Sequence, residues 1–251
     1  MSVWTAGRGA ASRTAKGVRV ILEDGTTVTL RRNARARRIT LRVSGRDGSV
    51  TLTVPPRVGD REAQAFLADR RDWLARARAR IAPPQIAGFG AVLPVEGRPL
   101  TLTPGPVRVP RVEGEALVLP ATRPAGPAAV GFLKTLAQSR LAAASDRHAG
   151  ASGREFRAIA LRDTRSRWGS CTHDGRLMYS WRLAMAPPEV LDYVAAHEVA
   201  HLTHMDHSAA FWGLVRRLRP DYAMLRDWLR LHGAGLQAWQ FRGTPCRDSA
   251  N

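Results

Sequence analysis

The stretch from His197 to His207 reads HEVAHLTHMDH, four histidines and a glutamate within eleven positions. On a helix, His197 and His201 stand four residues apart on one face and present two imidazole nitrogens to a single ion. Glu198, beside the first of them, is placed to accept a proton from a metal-bound water instead of ligating. A catalytic zinc needs three protein ligands and one open position. His207, ten residues after His197 and beyond the expected helix end, is the candidate third ligand. His204 competes for that place, but three ligands from one rigid rod close poorly around a tetrahedral centre. Cys171 is chemically a good ligand in a separate loop with no spacing argument, while Glu189 and Asp206 read as cap and loop residues. The chemistry expected is hydrolysis, with one zinc ion lowering the pKa of its water toward ~7 and Glu198 relaying the proton to the leaving group. The HExxH string also occurs by chance in unrelated proteins, so its context must carry the argument.

That context is a well-patterned helix. Pro187-Pro188 introduces EVLDYVAAHEVAHLTH, and a proline is tolerated in the first helical turn because its missing donor would be unpaired there. Ser208 is in place to cap the next helix, AAFWGLVRRLRPDY, whose Phe211, Leu214, Val215 and Leu218 form an apolar stripe. Upstream, LMYSWRLAM reads as a strand with Leu177, Tyr179 and Trp181 on one side, preceded by a turn at Asp174-Gly175. If that strand lies at a sheet edge beside the cleft, an extended peptide can add to it by backbone hydrogen bonds. Val130 to His148 has helical spacing and FRAIAL, at Phe156 to Leu161, reads as a strand.

The first half reads differently. Residues 1–17 carry no periodicity and are expected to be a disordered arm. VRVIL, Asp24-Gly25 and TVTL form a plausible hairpin, and Ile39, Leu41 and Val43 followed by SVTLTV form a second. After Gly59 the period becomes helical, with Phe66, Leu67, Arg70, Trp73, Leu74, Ala77 and Ile81 on one face and Asp60 as a cap. From Pro83 to Pro127 the chain is rich in Pro and Gly with short extended pieces, as expected of edge strands and turns. No internal repeat stands out. The expected organisation is an arm (1–17), hairpins plus helix (18–82), a connection (83–129), a catalytic domain (130–235) and a tail (236–251).

Charge is the compositional departure. Lys plus Arg number 39 against 21 Asp plus Glu, a formal net charge of +18, and only Lys16 and Lys134 are lysines. Guanidinium suits bidentate contact with phosphate or carboxylate, so acidic partners are favoured, although a coding bias toward arginine gives the same count. The stretch RRNARARR and the arginines of the first helix are the densest basic region, either a phosphate-meeting face or a solvated one. Only Cys171 and Cys246 occur, outside any CxxC spacing, which excludes a disulfide scaffold and a structural zinc finger. No run of 18 apolar residues and no apolar leader is found, so a cytoplasmic place and no membrane contact are expected.

These segments together carry a resemblance. RRNARARRITLRV, VTLTVPP followed by FLADRRDWLARA, the loop TRSRWGSC, LMYSWRLAMAPPEVLDYVAAHEVAHL and HSAAFWGLVRRLRPDY resemble the YgjP-like family of bacterial metallopeptidase-domain proteins, placed near gluzincin-type and SprT or WLM-type zinc peptidases. The resemblance runs from about Val18 to Gly233. It implies an α+β, zincin-like metallopeptidase fold with an HExxH active-site helix behind a small β-rich N-terminal part. It also implies His197, His201 and His207 as zinc ligands and Glu198 as catalytic acid and base. Asp206 stands where family members commonly have Asn. The loop from Arg167 to Cys171 looks like the family's signature beside the cleft.

The leading functional expectation is a zinc-dependent metallopeptidase with Glu198 as general base and an extended peptide or protein as substrate. A second is a metal-dependent nucleotide phosphoanhydride hydrolase, for which Arg165, Arg167 and Arg182 would have to gather at the metal. A third is a basic, nucleic-acid-associated module that processes DNA-bound proteins. Trp168 and Gly169 are read as a tight turn on the core, and Arg167 as a holder of an oxyanion or substrate anion. Tyr222 and His232 are weaker transition-state candidates.

Overall fold

The computed structural model describes residues 18–22, 24–44, 48–79, 85–164 and 166–241. The arm at 1–17, Arg165, Ile81 and Cys246 lie outside the described residues. The chain divides into two compact units, Met1–Pro83 and Pro84–Asn251.

In the first unit, alternating side chains build four strands: β1 (Val18–Ile21), β2 (Thr27–Arg32), β3 (Thr40–Val43) and β4 (Val50–Val54). Both expected hairpins form. The sheet order is β1-β2-β4-β3, with β2 and β4 pairing in parallel between the two antiparallel pairs. Val20, Val28, Leu30, Val50, Leu52 and Val54 point to one face, where Ala63, Leu67 and Leu74 of two helices cover them. These helices, α1 (Asp60–Asp69) and α2 (Arg71–Ala79), break the single stretch that the periodicity suggests. Gly59, not Asp60, is the N-cap of α1 and gives it no side-chain cap. Asp60 instead accepts from Arg32 at 2.5 Å, while the other arm of that guanidinium donates to the Val58 carbonyl.

The second unit begins with β5 (Gln85–Ile86) and then repeats the same topology. The strands β6 (Val92–Val95), β7 (Arg98–Gly105), β8 (Arg111–Glu113) and β9 (Ala116–Pro120) lie in the order β6-β7-β9-β8, again with a parallel central pair. The periodicity of the sequence hides this repeat because the second copy is interrupted by Pro94, Pro99 and Pro104. The long helix α3 (Ala125–Ser152) follows, as α1 follows β4. It buries Ala129, Leu133, Ala137, Leu141 and Ala144 and ends at Gly153, whose positive φ of 63° suits a left-handed C-cap.

A three-stranded sheet comes next, β10 (Ala158–Arg162), β11 (Gly169–Cys171) and β12 (Arg176–Ser180), with β12 in the middle. The expected strand LMYSWRLAM therefore ends at Ser180, and Trp181–Met185 form a fully buried 3-10 turn. The helices α4 (Pro188–Ala200), α5 (Ala209–Leu218) and α6 (Tyr222–Ala238) and the short strand β13 (Trp239–Gln240) complete the unit. Helix α4 is apolar nearly all round because it is sheathed on most sides. No helix among the described residues is long and apolar enough to cross a membrane.

Candidate metal centre

Helix α4 is held at its start by the β6–β7 turn. The backbone nitrogens of Glu96 and Gly97 donate to the carbonyls of Ala184 and Met185, at 2.8 and 3.2 Å. Gly97 has a φ of +77°, and a Cβ there would come within 3.1 Å of Pro187, the N-cap of α4. The far end of α4 carries His197 and leads into His201, whose rings lie 5.0 Å apart between centroids. The chain then turns, and His207 comes back from the loop ahead of α5. Ser208 caps α5 by accepting from the Phe211 amide at 3.4 Å, and the Ser208 amide donates to Asp206 at 3.2 Å. Phe211 stacks on His201 at 4.5 Å between centroids and packs edge-on to His197.

One potential ligand atom from each of His197, His201 and His207 falls within 4.8 Å of the others. The Nε2 atoms of His197 and His207 are 3.2 Å apart. Two nitrogens bound tetrahedrally to one zinc at ~2.0–2.1 Å stand about 3.3 Å apart, so the spacing fits a shared ion. His201 Nδ1 lies 2.9 Å from the His204 carbonyl, a bond that orients the ring and leaves Nε2 free for a metal. Burial, then the neighbouring charges of His201, His207 and Arg226, pushes His197 down to about 3, and burial also lowers His201. Both rings are thus neutral near pH 7, as ligands must be. The Nδ1 of His197 is buried without a hydrogen-bond partner.

His204 contributes its carbonyl but is not in the ligand cluster. Cys171 is also outside it, and burial, then the Glu198 and Asp174 charges, raises its thiol to about 11. Tyr222 stacks on Trp212, and His232 packs on Trp228. Arg226, missed in the sequence, lies over the Trp212 ring at 5.2 Å. Trp212 in turn lies 5.7 and 5.8 Å from His197 and His207, which ties an arginine of α6 to the centre. Only spacing across two helices reveals it.

Two expectations need correction. The α+β arrangement with a β-rich N-terminal region and a helical region is present. The centre is not the HExxH-plus-Glu site of a zincin-like metallopeptidase fold, because the gathered ligands are three histidines with no carboxylate among them. The function read from it, a zinc-dependent metallopeptidase with Glu198 as general base, is corrected on the same finding. Glu198 stands outside the cluster, only 5% exposed and set against β11. A Cβ on Gly169 would lie 2.6 Å from Glu198 Cγ, so Gly169 is required by this close approach more than by a turn. Burial raises the Glu198 carboxyl to about 8, against the opposing charge of Arg167. The gathering of arginines at the metal that the phosphoanhydride alternative needs is not seen among the described residues. Arg182 does not reach toward a phosphate: it is fully buried, bonded to Asp163 at 2.6 Å and to the carbonyls of Leu236 and Trp239. Arg167 is exposed, its carbonyl accepting from Thr164 Oγ1 at 2.6 Å. The peptide edge is also displaced, since β12 is central and β10 and β11 are the edge strands.

His197 on a largely buried helix, His201 at its end and His207 from the following loop form a cluster that could hold a metal ion in an α+β body. The model of the YgjP-like metallopeptidase domain matches residues 37–232, and the chain belongs to that family, which places it among enzymes of the hydrolase class. No curated protein matches it. Among solved structures, the metallopeptidase zymogen abylysin of Pyrococcus abyssi is similar at 18% identity and a TM-score of 0.34, over 37% of this chain and 92% of that one.

Proposed function

We propose that the three histidines hold one zinc ion as a reaction centre for peptide hydrolysis, with Glu198 entering as a proton donor. The observation that carries this is the 3.2 Å approach of His197 Nε2 to His207 Nε2, a separation suited to a shared ion. A bound zinc would supply Lewis acidity toward a carbonyl and a more acidic water. The residues supply the rest. The His204 carbonyl orients His201, and Phe211 fixes the rings by stacking. Glu198, next to His197 and buried against β11, is the acid that would pass a proton to a leaving nitrogen. Arg167 and Arg226 act electrostatically on Glu198 and His197 respectively, and so offer positive charge to a substrate carboxylate or a developing oxyanion.

The edge strand β11 gives an extended peptide a backbone to pair with, beside Glu198. The working place proposed is the cytoplasm, where Cys171 stays a free thiol. The test is zinc content and cleavage of a fluorogenic peptide pool by the wild type, His207→Ala and Glu198→Gln. One zinc per chain is expected in the wild type, with the metal lost in His207→Ala. Glu198→Gln is expected to keep the zinc and lose cleavage by at least about a hundredfold. Zinc binding that survives His207→Ala, or cleavage that survives Glu198→Gln, would overturn the assignment.

A further inference from the structure

The uncovered face of the first sheet is built from threonine and arginine. Its register places Arg19, Thr29, Thr51 and Arg42 in one row across all four strands. Arg31, Thr53 and Thr40 form a second row two residues further along, and Thr27 pairs with Ile21 at the other end. All three arginines are exposed, and none is in an ion pair with a described residue. The acids of this unit among the described residues lie elsewhere: Asp24 in the β1–β2 turn, and Asp60, Glu62, Asp69 and Asp72 on the helices. The loop from β2 to β3 adds exposed Arg35, Arg37 and Arg38 at the end marked by Arg31.

The topology does not demand this chemistry, because the second unit repeats it with another face. There the equivalent rows are Val92, Thr101, Ala116 and Glu113, and then Thr103, Val118 and Arg111. Arg111 is spent on an ion pair with Glu113. The first face has no such internal partner among the described residues.

We infer that the Arg19–Arg31–Arg42 face is a binding surface for the backbone of duplex RNA. The positive charge, with no acid on the face among the described residues, selects a polyanion. The absence of any aromatic ring on the face removes the stacking platform that single strands use. Four strands at ~4.8 Å spacing make a face roughly 14 Å wide, too broad for the major groove of B-form DNA, which takes a helix or a two-stranded ribbon. It suits the wide, shallow minor groove of A-form RNA, where threonine hydroxyls can both donate to and accept from ribose 2′-hydroxyls while arginines reach the phosphates. This surface is independent of the metal centre.

The experiment measures binding of the full chain to a blunt RNA duplex and to a DNA duplex of the same sequence, across a salt series. The variants are Arg19→Gln/Arg31→Gln/Arg42→Gln, the same three positions changed to Lys, and Arg111→Gln on the repeated sheet. The triple Gln change is expected to weaken RNA binding at least tenfold and to lower the slope of log affinity against log salt by about 2 to 3. The Lys form is expected to retain most of the affinity, and Arg111→Gln all of it, with thermal unfolding unchanged throughout. Failure of the wild type to bind duplex RNA, wild-type binding by the triple Gln form, or equal affinity for the DNA duplex would each overturn the inference.

Discussion

The two four-stranded sheets share one topology and register yet treat charge in opposite ways. In the first, Arg19, Arg31 and Arg42 stand on an open face without partners among the described residues. In the second unit several arginines are answered within the fold: Arg111 by Glu113 on the sheet itself, Arg140 by Glu96 at 2.7 Å, and Arg182 by Asp163. Asp192 of α4 gathers His148, Arg147 and Arg219. Burial would raise that carboxyl, but the His148 bond and charge and then the two arginines bring it below its usual range. The difference teaches that an arginine count says little until each guanidinium has been placed. The same side chain is a fixed internal strut at Arg182 and an available charge at Arg31.

The largest expected contrast is between Arg182 and Arg31. Arg182→Ala removes a buried cation that holds Asp163 and two carbonyls and lies 4.8 Å from the Trp181 ring. Asp163 is 37% exposed and can turn to water, so the cost comes from the two buried carbonyls left without a donor and the space vacated by the side chain, about 2–5 kcal/mol. Arg31→Ala, on an open face, should change stability by no more than about 0.5 kcal/mol. Thermal or urea unfolding of both variants measures the gap. Similar losses for the two would break the distinction between the units.

A smaller contrast concerns glycines. Gly169→Ala forces a Cβ into Glu198, and the overpacking should cost about 1–3 kcal/mol while displacing the carboxyl from β11. Gly131→Ala on α3, where no atom lies within 4 Å of the new Cβ, should instead be neutral or stabilising. Unfolding midpoints read the first effect. A shift of the pH profile of cleavage in Gly169→Ala, at unchanged zinc content, reads the displacement.

How much of this was legible follows from the range over which each feature is written. His197 and His201 were legible because four residues on a helix put side chains on one face, and His207 because a tetrahedral site wants a ligand from outside the rod. The hairpins were legible from alternation and from Asp24-Gly25. The parallel pairing of β2 with β4 was not, since nothing local in either strand names its neighbour. Nor was the repeat, which the prolines of the second copy obscure. LMYSWRLAM alternates well enough to read as one strand, but from Trp181 onward every side chain is buried, and a 3-10 turn accommodates that without a sheet face. The Gly169–Glu198 and Gly233–Trp168 approaches, the latter 3.0 Å to an added Cβ, join positions 29 and 65 apart in sequence. A glycine in a sequence announces freedom, and only the fold shows whether what it provides is space.

The smallest effect lies at the start of α1, the least supported helix end among those compared. Gly59 is its N-cap, with a φ of −72°, no side-chain cap, and nothing within 4 Å of an added Cβ. At α5, by contrast, Ser208 caps the helix through its hydroxyl. The backbone at Gly59 already has the extended conformation of a capping residue, so Gly59→Ser needs no rearrangement for its oxygen to meet a first-turn amide. The capping bond adds only a few tenths of a kcal/mol over glycine, and the stiffer unfolded chain adds a similar amount, for a gain of about 0.5–1 kcal/mol. Ser208→Ala should lose about 0.5–1 kcal/mol at the other end of the comparison, since its bond to Phe211 is long. Hydrogen exchange of the first-turn amides of α1 and α5 resolves the two units separately. Slower exchange in α1 of Gly59→Ser, with α5 unaffected, is the expected result; no change in α1 would mean that the first unit's helix start is already held by the Arg32 bonds to Asp60 and Val58.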